Sequence, residues 1–318
     1  MESRITPTVE GGLLTAIAVI LGLASIYLPI LGVFVEFFCA VPIVVLTVRQ
    51  GATKGALALA ASFLILSMFV GAILAMKIAL GFGICGLVLG YCISKNFSTV
   101  KCFTATLVTA FLAQIIAISI LFFVMGINVM EIETTVVKES FDKMFKLYET
   151  IGVDKQALAQ IHGLFDKFFE LVKYLFPFLM FFIGSMHAVL CYVTSKWSFE
   201  KLRMKFLEPL PPFAQWQFPQ IILYLVSFSA IGVYWGATRE WIPLYTVSIN
   251  VVVITLGLGF IQGLAVLSAM ADSFNVSKFW RRLIFIVIIL NLLFIQIVSF
   301  TGLFDMIFDY RKRLVKRE

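Results

Sequence analysis

The run Gly32-Val33-Phe34-Val35-Glu36-Phe37-Phe38-Cys39-Ala40-Val41-Pro42, continuing through Leu46, Arg49, Gly51 and Gly55, decides the fold. It is apolar enough to lie in a bilayer, yet it holds a carboxylate. A charge at membrane depth costs about 2.5–3.5 kcal/mol or more, so such a residue usually faces a cavity or a partner. Working outward, the rest of the chain has the same character. Of its 318 residues 61% are hydrophobic and only 14% are charged, against about 25% charged in soluble domains. A soluble surface of this size could not face water with so few charges, whereas a bilayer removes the need.

A helix needs about 20 apolar residues to cross the hydrocarbon core. On that rule the chain is an all-α integral membrane protein with about nine transmembrane helices. They fall at 12–31, 33–48, 56–75, 78–94, 103–126, 171–195, 218–236, 245–271 and 283–303, and number eight if one is re-entrant. Segments two and four are short. The apolar run from Leu13 to Leu31 is too long for a cleaved signal peptide. It carries Gly12-x-x-x-Ala16 and Ala18-x-x-x-Gly22, small residues that let another backbone approach closely. Partner-helix packing is therefore expected at Gly12, Ala16, Ala18 and Gly22.

Charge sets the expected orientation. Arg49, Lys54, Lys95 and Lys101 follow segments two and four, Lys196 to Lys205 follow segment six, and Lys278, Arg281 and Arg282 follow segment eight. The positive-inside bias places these loops and the N-terminus in the cytoplasm. The basic tail Arg311–Arg317 does not fit, because nine crossings put it outside. The net charge of +7 is accounted for by these loops, and nothing resembles a nucleic-acid-binding stripe.

The only long polar stretch is 127–170. Val137, Phe141, Met144, Tyr148 and Ile151 form one amphipathic stripe, and Ala157, Ile161, Leu164, Phe168 and Leu175 a second. The spacing predicts an extramembrane helical hairpin with acidic outer faces. Ser198–Leu207 reads as a short basic helix. Pro209, Pro211 and Pro212 then forbid a helix and favour an extended strap. The expected organisation is a six-helix unit over 1–207, a strap over 208–217 and a three-helix unit over 218–318.

Polar groups inside apolar segments are the candidate ligand-binding residues: Glu36, Lys77, Gln114 and His187. On a helix Glu36, Cys39, Ala40 and Ile43 share one face, expected to line an outward cavity, while Phe34, Phe37, Phe38 and Val41 fill lipid or core contacts. Asn250, Gln262, Asn291 and Gln296 read as hydrogen bonds between helices. The five cysteines have no metal-ligand spacing, so no metal or other cofactor is expected. There is no phosphate loop, H-E-x-x-H or nucleophile elbow, so the chain does not read as an enzyme.

Four patches carry a resemblance. Pro42-x-x-x-Leu46-x-x-Arg49-x-Gly51-x-x-x-Gly55, Pro209-Leu210-Pro211-Pro212-Phe213-x-x-Trp216, Gln262-Gly263-Leu264-Ala265 and Gly302-Leu303-Phe304-Asp305-x-x-x-Asp309-Tyr310-Arg311-Lys312-Arg313 resemble the YybS-like family of uncharacterised bacterial membrane proteins. That family in turn resembles the S components of energy-coupling-factor transporters over about six N-terminal helices. The resemblance implies a bacterial inner-membrane protein that captures a small molecule in an outward cavity. It also implies docking of the first helix on a coupling subunit, with separate ATPases. The competing expectation is a membrane scaffold or assembly factor that binds only partners and the lipid bilayer.

Overall fold

The computed structural model describes residues 6–126, 140–145, 147–148 and 155–311, and these are helical apart from short connections. The helices are α1 (Pro7–Tyr27), α2 (Leu31–Glu36), α3 (Val41–Gln50), α4 (Ala52–Val70), α5 (Ala72–Ile78), α6 (Ile84–Ser94) and α7 (Thr99–Met125). They continue with α8 (Lys155–Tyr174), α9 (Phe176–Lys201), α10 (Ile221–Thr238), α11 (Ile242–Ser273), α12 (Lys278–Leu290) and α13 (Leu292–Phe308). Among the described residues eight helical spans are long and apolar enough to cross a membrane, two of them the composite pieces Leu31–Gln50 and Ala72–Ser94.

The expected ninth span, 283–303, is present as two helices, so the spans number nine if the pair is one broken span and eight if it is re-entrant. It is a bent pair, α12 and α13, whose axes differ by 107°. The break is a capping event: Asn291 leaves helical geometry and its Oδ1 accepts from the backbone N–H groups of Leu293 and Phe294, as an N-cap asparagine does. The hairpin expected over 127–170 falls partly outside the described residues, including Val137 and Ile151; residues 140–145 and 147–148 are helical, and α8 covers the second stripe up to Tyr174.

The chain divides into two compact units. One comprises Met1–Leu158 with Leu179–Pro209, the other Ala159–Phe178 with Leu210–Glu318. This boundary differs from the expected one, because residues 159–178 belong with the later helices. Asn250 of α11 holds them: its Nδ2 donates to the carbonyl of Tyr174 and its Oδ1 accepts from the N–H of Phe178.

In the first unit α3 is the centre. Ala40, Ile43, Val44, Val45, Leu46 and Thr47 are all buried. Two glycines let α6 lie against it: a Cβ at Gly86 would meet the carbonyl oxygen of Ala40 at 2.8 Å, and one at Gly90 would meet the Thr47 side chain at 2.7 Å. Such small residues allow the close backbone approach on which membrane helix packing depends. Gly51 alone links α3 to α4, with φ +92°, a conformation that excludes most side chains. At the same end Arg49 pairs with Glu10 of α1, and Gln50 Nε2 donates to Glu10 (3.1 Å) and to the Pro7 carbonyl (2.8 Å). The Pro42–Gly55 motif is thus a helix junction pinned to the start of α1.

Two further expectations change. The basic helix over Ser198–Leu207 is absent: α9 runs to Lys201, Arg203 turns the chain with φ +54°, and the Met204 N–H bonds back to the Phe199 carbonyl. That six-to-one bond across a left-handed residue terminates a helix. The two small-residue pairs of α1 lie in different surroundings. Ala18 and Gly22 are buried, Gly22 against Leu66 of α4, while Gly12 and Ala16 are exposed. Residues six apart lie about 240° around a helix, so the two pairs point to different neighbours.

In the second unit α10, α11 and α13 pack together around Ile222, Leu303 and Met306. The α11–α13 crossing depends on glycine. A Cβ at Gly263 would fall on the Val298 carbonyl oxygen, and one at Gly302 on the Gly259 carbonyl oxygen. Residues 204–212 and 216–219 are non-helical, with a single 3₁₀ turn over Phe213–Gln215, so the proline strap has the extended form its sequence predicts.

Candidate functional site

Two irregularities interrupt the first unit's composite spans. Between α2 and α3, residues 37–40 form tight turns, with the Cys39 N–H bonded to the Glu36 carbonyl and the Val41 N–H to the Phe38 carbonyl. Between α5 and α6, Ala79–Gly83 is a π turn. π turns occur frequently at functional sites, and discontinuous helices commonly frame the binding sites of membrane transporters. The shortness of segments two and four was the sequence signal for both breaks.

Phe37 of the first break and Phe82 of the second line one open pocket of about 210 Å³. Glu36, the last residue of α2, meets Lys77 of α5, with Oε1 to Nζ at 3.0 Å. The Glu36 side chain is 17% exposed and that of Lys77 is 62% exposed, so the pair sits at the mouth with the carboxylate on the inner side. Phe82 of the π turn and His187 of α9 stand behind it, ring centroids 4.5 Å apart. Gly81 leaves room for the imidazole: a Cβ there would lie 3.1 Å from His187 Cε1. Gln114 of α7 holds the ring from the far side, Nε2 to Nδ1 at 3.1 Å. Phe182, Ile183, Met186 and Leu190 of α9 complete an apolar wall.

All four candidate residues therefore converge, three lining the pocket and Gln114 orienting the third. The predicted cavity face does not hold in full. Cys39, Ala40 and Ile43 are buried, Cys39 and Ile43 against a separate small cavity of about 20 Å³, and Phe37, expected in lipid or core contacts, lines the pocket beside Glu36. The reason is the turn over 37–40, which breaks the helical register linking Glu36 to residues three, four and seven positions later. Among the described residues no group of His, Cys, Asp and Glu could hold a metal ion, and the five cysteines are free and buried.

A second polar centre, in the second unit, was missed by the sequence. Asp305 is wholly buried. Its Oδ2 accepts from Gln262 Nε2 (2.9 Å) and Arg311 Nη2 (2.8 Å), and its Oδ1 accepts from the Tyr310 N–H (2.9 Å). Arg311 also donates to the strap carbonyls of Ala214 and Trp216, and Gln262 Oε1 accepts from the Phe218 N–H. Here the strap, the Gln262–Ala265 patch and the Gly302–Arg313 patch meet. Their polar atoms are spent on one another, so this centre is a structural lock. It also returns the end of α13 to the strap, at the end of the unit where α10 begins.

Comparison with known proteins agrees with this architecture. The family described as predicted membrane protein (DUF2232) matches residues 16–306, and the chain belongs to that family. It is similar to the uncharacterized protein YybS of Bacillus subtilis (strain 168), with 25% identity over 315 residues, 96% of this chain and 97% of that one. No solved structure matches.

Proposed function

We propose that this member of the DUF2232 family is a small-molecule-binding membrane protein whose first unit captures its ligand between α2, α5 and α9. The observation that carries the reading is the Glu36–Lys77 ion pair at the mouth of a pocket lined from both irregular turns, by Phe37 and by Phe82. Neither break is needed to cross a bilayer, and ionisable groups within membrane segments mark ligand or ion paths by default. The role is binding rather than catalysis. The protein resides in the bacterial inner membrane with its N-terminus in the cytoplasm, following the basic loops. The pocket then opens outward, because it lies toward the end where Tyr27 Oη donates to the Phe69 carbonyl, opposite the Glu10–Arg49 end.

The S-component resemblance extends the proposal to the capture subunit of an importer, with a coupling subunit and ATPases as partners. Gly12 and Ala16, exposed on α1, are the residues on which another helix would dock. The test is native mass spectrometry of the full chain released from nanodiscs, comparing wild type with Glu36→Gln. A bound small molecule lost in the variant supports the reading. Co-purifying subunits without any small molecule in either protein would favour the scaffold alternative.

A further inference from the structure

We propose that the pocket takes a small zwitterion with an apolar body, of the class of α-amino acids with large aliphatic or aromatic side chains; this rests on the binding reading above. The argument begins with the pair at the mouth. Glu36 and Lys77 neutralise one another at 3.0 Å. A ligand that inserts between them must replace that pairing for both groups, since a charge left alone in a membrane segment is costly. An anion would satisfy Lys77 and strand Glu36, and a cation would do the reverse. A ligand whose ammonium and carboxylate sit on one carbon presents both charges at neighbouring positions. Its ammonium meets Glu36 while its carboxylate meets Lys77.

His187 supplies a third polar contact. Gln114 engages its Nδ1 at 3.1 Å, so Nε2 is the ring nitrogen left for a ligand. Beyond these groups the wall is apolar, formed by Phe82, Phe182, Ile183, Met186 and Leu190. It asks for an aliphatic or aromatic body and offers no further polar group to a sugar or phosphate. Size points the same way. About 210 Å³ falls below the roughly 300–1,000 Å³ of pockets for drug-sized ligands.

The experiment measures binding to the full chain in nanodiscs by isothermal titration. The probes are L-leucine, L-phenylalanine, L-leucine amide (no carboxylate), 4-methylpentanoate (no ammonium) and 4-methylpentanamide (no charge). Leucine or phenylalanine should bind, and each single-charge analogue should bind about a hundredfold more weakly, the consequence of one unpaired charge. Glu36→Gln and Lys77→Gln should each lose a similar factor, and the exchange Glu36→Lys with Lys77→Glu should recover part of it. Tryptophan emission and gel filtration establish that each variant is folded. If the uncharged or single-charge analogues bind as well as leucine, the zwitterion proposal falls and the pocket reading stands. If no probe binds while native mass spectrometry finds another molecule lost in Glu36→Gln, the ligand class is overturned alone. If neither experiment finds a ligand, both readings fall.

Discussion

Replacing Asp305 by alanine tests whether the second polar centre is a structural lock. The wild-type carboxylate is wholly buried and accepts three hydrogen bonds, one from a guanidinium. Removing one partner of a buried ion pair typically costs about 3–5 kcal/mol. Arg311 keeps the Ala214 and Trp216 carbonyls as acceptors, so Asp305→Ala should lie at the low end, about 3 kcal/mol. Arg311→Met is the harsher change. It strands a fully buried carboxylate with only Gln262 and the Tyr310 N–H, and should cost about 4–5 kcal/mol. The double variant removes both charges and should cost no more than Arg311→Met alone, a non-additivity of about 3 kcal/mol or more. The assay is reversible unfolding of the full chain in mixed micelles by added SDS. Trp216, Trp235, Trp241 and Trp280 lie in the second unit, whereas all five cysteines lie in the first. With Trp197, which lies in the first unit, replaced by Phe, tryptophan emission should shift to lower SDS while thiol reactivity reports the first unit. Single variants costing under about 1 kcal/mol, or a strictly additive double, would refute the lock.

Glycine contacts offer a second measurement: Gly302→Ala and Gly263→Ala each drive a methyl onto a backbone carbonyl oxygen, and each should destabilise the second unit by about 1–3 kcal/mol on the same unfolding curve. Gly51→Ala should cost about 1–3 kcal/mol in the first unit, because φ +92° is strained for any side chain; no change in thiol-reported unfolding would contradict the junction's geometry. Gln114→Leu removes one interhelical bond to His187 and should cost only about 0.6 kcal/mol in stability while weakening ligand binding, and a large stability loss without a binding change would reverse that assignment. Cysteines placed at positions 215 and 308 in a cysteine-free chain should both be labelled from one side of the membrane, since Arg311 bonds the strap; labelling from opposite sides would rule out the bent last pair.

The basic tail shows how topology and composition interact. Counting apolar runs gives nine crossings and places Arg311 opposite the other basic loops. The bend at Asn291 brings it back to the strap, where it meets the Ala214 and Trp216 carbonyls. The information lay in Asn291, but an asparagine in an apolar run has two outlets, a bond to a neighbouring helix or a cap on its own. Only the direction of the chain after residue 290 distinguishes them.

The membrane class, the helical content and the approximate spans follow from the sequence alone, because transfer of side chains into hydrocarbon and closure of backbone hydrogen bonds are properties of each segment by itself. The proline strap was legible for the same local reason. Glu36, Lys77, Gln114 and His187 were visible as polar groups in apolar surroundings, but their meeting was not, since they come from spans two, four, five and six. Asp305 stayed hidden because its sequence neighbourhood resembles an ordinary helix end; its burial depends on Gln262 and Arg311, 43 residues before it and 6 after. Periodicity assigns faces only while a helix continues, and the turn at 37–40 and the π turn at 79–83 reset the register. Those two breaks depend on what packs against them, and that is why tertiary structure alone decided which side chains line the pocket.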